Sequence, residues 1–287
     1  MARPRMRDGL AVLAVIVVLA VIFGREVNGD DKPERAEIGL VEVVGPITSP
    51  EATRRQLRYL TQERDVSAIV LRIDCPGGAV GASQEIYRQF KRLRSEQDIV
   101  IVASMGNVAA SGGYYIAAAA DSIVANPGTV TGSIGVIAQF TQVDTLLRRV
   151  GLAFNTITSG RFKDSGSPFR PMRERERALF QGVIDDTYDQ FVEAVAEGRA
   201  MTVEQVKEIA DGRVLTGRQA LAVGLVDALG NLDDAAAIAR RMVEAPDDAP
   251  MIKMPARRAR LMDYLVNRIA HRVGTWFYGV SVRYSLR

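Results

Sequence analysis

The sequence predicts an α/β protein in which strands alternate with crossover helices. Three observations predict it. Short apolar runs such as Ala68 to Asp74 close on turn signals, here Cys75-Pro76-Gly77-Gly78. The segments between these runs are amphipathic, as in Ala82 to Arg94, where Ile86, Phe90 and Leu93 share one helical face. No short-period repeat interrupts this alternation, so a solenoid is not indicated. At 287 residues, 47% hydrophobic and 25% charged, the chain is able to bury a substantial core as one domain.

The elements follow in order. Residues 1–8 are a basic start carrying Arg3, Arg5 and Arg7, and residues 9–24 are an uncharged run. As a helix that run extends roughly 24 Å, slightly less than a ~30 Å hydrocarbon core. It reads as a cleaved signal peptide or as a retained transmembrane anchor. The absence of a small-x-small pattern in Phe23-Gly24-Arg25-Glu26-Val27 favours the anchor. The preceding arginines then place the N-terminus in the cytoplasm and the rest of the chain on the extracytoplasmic side of the cell membrane. Residues 25–37 are a polar linker.

The working domain is expected over residues 38–244. Ile38 to Val44 reads as a strand, Glu51 to Arg64 as a helix, Ala68 to Asp74 as a buried strand and Ala82 to Arg94 as a helix. Asp98 to Ser104 is a further strand, followed by a small-residue loop, Met105 to Ala110, and an alanine-rich helix to about Ala120. Strands are expected near Ser122 to Ala125, Ser133 to Ala138 and Phe154 to Thr158, with a helix near Val143 to Val150. Arg173 to Gly198 is a long charged helix whose stripe of Phe180, Ile184, Tyr188 and Phe191 suits a core or a subunit contact. Three shorter helices complete the domain, at Val203 to Ala210, Gly217 to Val223 and Asn231 to Val243.

Composition removes several chemistries. The chain holds one histidine, His271, and one cysteine, Cys75. A Ser-His-Asp or Cys-His mechanism would depend wholly on His271, and neither an internal disulfide nor a cysteine metal cluster can be built. Nothing in the sequence requires a cofactor or a metal.

Two segments carry the candidate chemistry. Ser111-Gly112-Gly113-Tyr114-Tyr115 places a hydroxyl at a strand-to-helix junction, where other hydrolases present nucleophiles. The N–H of Gly112 is then positioned to stabilise an oxyanion. A helix N-cap explains a serine at this position equally well. Pro76-Gly77-Gly78 ends the preceding strand, and Gly78 is the candidate second oxyanion donor.

The other segment is Ser159-Gly160-Arg161-Phe162-Lys163-Asp164-Ser165-Gly166. Of 37 basic residues only five are lysine, and arginine does not give up its proton to act as a base. Lys163 alone lies in a loop of small and aromatic neighbours, while Lys32, Lys91, Lys207 and Lys253 lie in a linker, on charged helices or beside proline. It is the candidate general base, with a solvated loop cation as the plain alternative. Ser133, in Thr131-Gly132-Ser133-Ile134-Gly135, is a candidate partner orienting its amine.

Several motifs in order resemble the signal peptide peptidase A family of serine proteases. They are Leu71-Arg72-Ile73-Asp74 leading into Pro76-Gly77-Gly78, Ala110-Ser111-Gly112-Gly113-Tyr114-Tyr115, Thr131-Gly132-Ser133-Ile134-Gly135, and Lys163-Asp164 with Ser167-Pro168-Phe169-Arg170. Gly212-Arg213-Val214-Leu215-Thr216-Gly217-Arg218-Gln219-Ala220 ahead of Gly224-Leu225-Val226-Asp227 completes the set, so the match runs from about Ile38 to Asp234. The resemblance implies a fold like that of the Clp protease subunit and the crotonases, and a dyad of Ser111 as nucleophile and Lys163 as base. It also implies cleavage of signal peptides and other short chains by a membrane-anchored homo-oligomer of the short form. Cys75 stands where such proteins often carry serine, and it reads as a small buried residue.

Two other function classes stay open at this level: a crotonase-like acyl-CoA enzyme and a catalytically silent membrane scaffold. Residues 245–287 form a basic tail, with seven arginines and only Asp263 acidic from Arg257 onward. Leu261, Leu265, Ile269, Val273, Trp276 and Val280 recur there at helical spacing, which suits a membrane surface, a neighbouring subunit or a loosely docked end. The net charge of +3 arises largely from this tail and the N-terminal arginines, so nucleic acid is not an expected partner.

Overall fold

The structure is a computed structural model, and it describes residues 37–64, 66–255 and 281–285. The expected transmembrane run at 9–24, the linker up to residue 36 and the apolar stripe from Leu261 to Val280 lie outside the described residues. Among the described residues no helix is long and apolar enough to cross a membrane.

The strands are β1 (Ile38–Val44), β2 (Ala68–Cys75), β3 (Gly77–Ala79), β4 (Val100–Ala110), β5 (Ser122–Ala125), β6 (Val130–Gly132), β7 (Ile137–Gln139), β8 (Val214–Thr216), β9 (Ala228–Leu229), β10 (Met251–Lys253) and β11 (Ser281–Ser285). The helices are α1 (Glu51–Arg58), α2 (Val80–Gln97), α3 (Gly112–Ala117), α4 (Asp144–Arg149), α5 (Glu174–Arg199), α6 (Val203–Ile209), α7 (Gly217–Ala222) and α8 (Leu232–Met242). A π-helical turn, Tyr59–Glu63, extends α1.

The main sheet runs β10-β1-β2-β4-β5-β9, with every neighbouring pair parallel. A parallel sheet buries both faces, and the period-two alternation along each strand divides its side chains between two cores. Ile38, Leu40, Ala68, Val70, Val102 and Val124 meet Ala235, Ala236 and Ala239 of α8. Val41, Ile69, Leu71, Ile73, Ile101 and Met105 point the other way, into a larger core with Ile86 and Phe90 of α2, Tyr114 of α3 and Phe191 of α5. The sheet takes in β10, beyond the domain end expected at residue 244.

Three expectations need correction. Residues 105–110 continue β4 rather than forming a loop. The Asp74 carboxylate accepts hydrogen bonds from Asn107 Nδ2 (2.9 Å) and the Val108 N–H (3.2 Å), which carries the strand through a register shift after Ile73. The far half of β4 then changes partner, from β5 to β6. The strand expected over Ser133 to Ala138 begins only at Ile137, because Ser133 takes a positive φ of 50° and turns the chain out of the ladder. No strand forms over Phe154 to Thr158. Phe154 there stacks on Phe169 at 4.1 Å, a side-chain contact in place of a ladder.

Candidate active site

Ser111 stands where β4 passes into α3, with φ 54° and ψ −119°. Non-glycine residues avoid this region at a cost of about 1–3 kcal/mol, and it recurs where a fold must present a reactive group. Hydrogen bonds on both sides hold it there. Its N–H donates to Gly132 O at 2.8 Å, and its carbonyl accepts from the Tyr115 N–H at 2.8 Å. The following helix is locked by its aromatic pair: the Tyr114 hydroxyl donates to Leu225 O at 2.8 Å, and Tyr115 packs edge-on to Tyr87 and tilted on Phe191. Burial pushes the Tyr114 phenol above its ordinary range.

The hydroxyl itself is unusual. Ser111 is fully buried, and its Oγ has no hydrogen-bond partner among the described residues. It makes no cap bond to α3, so the N-cap explanation fails. An unpaired buried hydroxyl costs about 1–3 kcal/mol, which a purely structural residue would be expected to avoid.

Two glycine turns close on this point. A side chain at Gly113 would meet Cys75 O at 2.8 Å, so glycine lets α3 pack onto the end of β2. Just beyond, Gly77 O accepts from the Ile47 N–H (2.9 Å) and Ile47 O accepts from the Ala79 N–H (2.7 Å). A Cβ at Gly78 would lie 2.1 Å from Ile47 O. The strand β3 that carries Gly78 packs against α3, which begins at Gly112. Cys75 is buried, as its position suggested; its Sγ accepts from the Gly77 N–H at 3.2 Å, and burial pushes its thiol up.

Ser133 is brought to the same place by the Ser111 to Gly132 hydrogen bond, while its own N–H donates to Arg213 O at 2.7 Å. It lines a cavity of about 680 Å³ together with Ile134, Val136, Ile184, Tyr188 and Val214.

Lys163 lies differently. It sits in a run of tight turns, with its N–H donating to Gly160 O at 3.1 Å, and its side chain is exposed. Because Ser111 Oγ has no partner, the two groups share no hydrogen bond within this chain. The loop is nonetheless anchored. Arg170 Nε donates to Asp164 Oδ2 (2.7 Å), its Nη2 to Asp164 O (2.7 Å), and its two Nη atoms to both oxygens of Glu176 (2.8 and 2.9 Å). Glu176 is fully buried at the start of α5 and also accepts from the Arg173 N–H at 3.1 Å. The Arg170 hydrogen bonds draw its carboxyl down to about 2, and the two carboxylates raise the Arg170 guanidinium above its ordinary range. Sequence reasoning picked out Asp164 and Arg170 as motif residues but missed Glu176. The available signal was an acid at the third position of α5 after the Arg173 boundary, the capping-box spacing that the structure bears out.

Comparison with known proteins places this geometry. The model of peptidase family S49 matches residues 94–245, which include Ser111 and Lys163, and the Clp protease model matches residues 37–129. A Synechocystis sp. protein named as a protease, slr0021, is 48% identical over 203 residues, covering 70% of this chain and 72% of its own length. An Enterococcus faecium protein named as a signal peptide peptidase SppA is 41% identical over 180 residues, 63% of this chain and 52% of that protein. The chloroplastic serine protease SPPA of Arabidopsis thaliana is 36% identical over 219 residues, 74% of this chain and 32% of that protein. With a family match over more than half its length, an α/β fold with a Clp protease-like part and a strained serine at its strand-to-helix junction, the chain belongs to peptidase family S49 and is a serine protease.

Proposed function

We propose that this protein is a membrane-anchored serine endopeptidase in which Ser111 is the nucleophile and Lys163 the general base, acting on released signal peptides and other short or unfolded chains. The observation that carries the reading is the Ser111 side chain, strained, buried and unpaired at a strand-to-helix junction. The neutral amine of Lys163 takes the Ser111 Oγ proton as Oγ bonds to the substrate carbonyl carbon. The N–H groups of Gly78 and Gly112 receive the oxyanion. Collapse breaks the C–N bond, and the lysine ammonium protonates the departing amine. Water, deprotonated by the same amine, then attacks the acyl-enzyme and frees Ser111. Ser133 orients the amine.

The exposed position of Lys163 fits a site completed between copies of the chain. Leu152, Phe154 and Ile157 on the same segment are more than half exposed, with Ile157 99% exposed, and Leu146 and Val150 extend the surface. Apolar patches of this kind mark association surfaces. In a homo-oligomer, Lys163 of one copy serves Ser111 of another. The anchor assigned to residues 9–24 holds the assembly on the extracytoplasmic side of the membrane, where released signal peptides arise.

A fluorophosphonate probe tests the chemistry on purified protein. It labels Ser111 in the intact chain and fails in Ser111→Ala. In Lys163→Arg it fails as well, because guanidinium keeps its proton. Equal labelling of Lys163→Arg would remove the proposed base. Labelling at another serine would remove the proposed nucleophile and reopen the acyl-CoA and scaffold readings.

A further inference from the structure

Two cavities adjoin along α5. The one beside Ser133, of about 680 Å³, and a second of about 510 Å³ share Val136, Ile137 and Ile184 as walls, so together they form one trough. One end lies next to the serine junction, because Ser133 follows Gly132, whose carbonyl accepts the Ser111 N–H. Along α5 the lining runs from Tyr188 back to Arg177, which spans roughly 16 Å of helix. An extended chain covers that length with about five residues. The shared walls are apolar, but the two ends differ in charge. Arg177 lines the far cavity, and among the described residues its guanidinium makes no ion pair and no hydrogen bond. Arg170 on that cavity is already bound to Asp164 and Glu176, and Glu174 does not line it. Asp185 lines the cavity that holds Ser133; it accepts from Gln181 Nε2 at 2.7 Å and pairs with no cation among the described residues, whereas Asp211 there is bound by Arg213.

We propose that this trough holds the leaving-group side of a short peptide substrate and that Arg177 receives the free carboxylate at the peptide's C-terminal end. This rests on Ser111 as the nucleophile, and it places that carboxylate about five residues beyond the bond to be cut. The match is electrostatic at both ends. A guanidinium takes a carboxylate through paired N–H donors. The amine freed when the C–N bond breaks picks up a further proton at neutral pH, and the resulting cation lies at the end where Asp185 is the unpaired charge. Apolar side chains of the fragment rest on Val136, Ile137 and Ile184 between the two. A peptide released by an earlier cleavage carries a free carboxylate at its new end, whereas the intact precursor has none at that point. The trough therefore selects released peptide ends over internal stretches of a longer chain.

The experiment gives the full chain pairs of apolar peptides that share one sequence and end either as the free acid or as the amide. With about five residues after the cleaved bond, the acid is expected to show a kcat/KM about tenfold higher, carried mainly by KM. With about ten residues after it, the advantage should vanish, because the carboxylate then lies beyond Arg177. Arg177 is exposed, so its substitution leaves the fold in place. Arg177→Lys should keep the preference for the acid and Arg177→Glu should reverse it, a change of sign that a merely structural residue does not produce. Equal cleavage of acid and amide at both lengths overturns the proposal, and a preference that survives Arg177→Glu overturns the assignment to Arg177. Binding is read without turnover by calorimetry, with the five-residue leaving fragment titrated as acid and as amide into the Ser111→Ala chain. The acid should bind about tenfold tighter, and equal affinities overturn the carboxylate site. Fluorophosphonate labelling keeps the two readings apart. If Ser111 of the intact chain does not label, the catalytic reading fails and the leaving-group role with it, while the calorimetry still decides whether Arg177 holds a carboxylate.

Discussion

Around Ser111 the chain is closed: Ala109, Ala110, Tyr114, Ile116 and Ala117 are fully buried, and the local backbone is held by hydrogen bonds to two other segments. Around Lys163 it is open. Every residue from 151 to 163 is exposed, no regular element forms there, and the segment is tied down mainly by one arginine between two carboxylates. Helix α5 spans the contrast, with Phe191, Val192 and Val195 in the core and Leu179 and Val183 in solvent. A fold stable enough to hold a strained serine needs the first arrangement. The second makes physical sense for a surface that another copy covers, because exposed apolar side chains lower the free energy only when association buries them.

The sharpest way to break the contrast is to separate its two halves genetically. Ser111→Ala and Lys163→Ala are each expected to lower peptide cleavage by a factor on the order of 10⁴ or more, since members of a catalytic unit fail together. His271→Ala is expected to leave turnover intact. Mixing the two inactive proteins under conditions that exchange subunits should restore activity. With equal random mixing about a quarter of the sites pair an intact serine with an intact lysine. Turnover that stays at the background of the single variants would confine the dyad to one chain and undo the reading of the exposed loop.

Next in size is the anchor of the lysine loop. Arg170→Met frees the loop and leaves buried Glu176 with only its contacts to Arg173; misplacing a catalytic group by about 1 Å costs on the order of 10²-fold in kcat. Adding Glu176→Gln to Arg170→Met removes the under-compensated charge. The double variant should recover melting temperature but not activity, whereas recovery of both would make Arg170 merely structural. The same cluster has a pH signature. The Glu176 carboxyl is depressed to about 2, below the ~4.3 of an unfolded glutamate. Its contribution to stability is thus present above about pH 4.3 and is lost as pH falls through about 2. Urea midpoints measured from pH 5 to 2 should fall less steeply in Glu176→Gln than in the parent chain.

A subtler change tests what covers the open half. Ile157→Asp places a charge on a side chain that is 99% exposed, so the fold itself should lose no more than about 0.5 kcal/mol. Association should weaken nonetheless, and activity per chain should become concentration-dependent. Sedimentation velocity at several concentrations checks this. An unchanged sedimentation profile with full activity would leave the exposed surface without a role in assembly.

The closed half was the legible one. Strand alternation marked β1, β2 and β5 to within a residue, because those side chains face two cores and the period shows in the letters. The helix after the lysine loop was legible for the same reason. Errors gathered where a tertiary contact outweighs local pattern. The Asp74 carboxylate keeps residues 106–108 in β4, a link across more than thirty residues that no local window contains. The alternation at Phe154 to Thr158 looks like a strand, but among the described residues no strand pairs with it. Elimination and motif single out Ser111 and Lys163 as candidates, yet neither the positive φ of the serine nor the solvent exposure of the lysine could be read from residue types. Glu176 was hidden among charged neighbours at residues 173–177, where nothing in composition distinguishes a buried acid from solvated ones.

The smallest effect belongs to the interior of the closed half, and it asks whether fold and chemistry there can be separated at all. Tyr114 lies three residues after Ser111, the proposed nucleophile, but its hydroxyl donates to Leu225 O at 2.8 Å. Tyr114→Phe keeps the ring and its packing while leaving one buried carbonyl without this donor. The loss is about 1–2 kcal/mol, which lowers Tm by roughly 2–8 °C for a domain of this size. Well below that transition kcat/KM should stay within about twofold, because the hydrogen bond holds the far side of α3 and no reacting atom. Calorimetry and steady-state kinetics on the same preparation decide the matter. A large loss of kcat at unchanged Tm would mean that the Tyr114 hydrogen bond sets the Ser111 backbone itself, and that strain at the nucleophile is maintained through α3 rather than by the Gly132 contact.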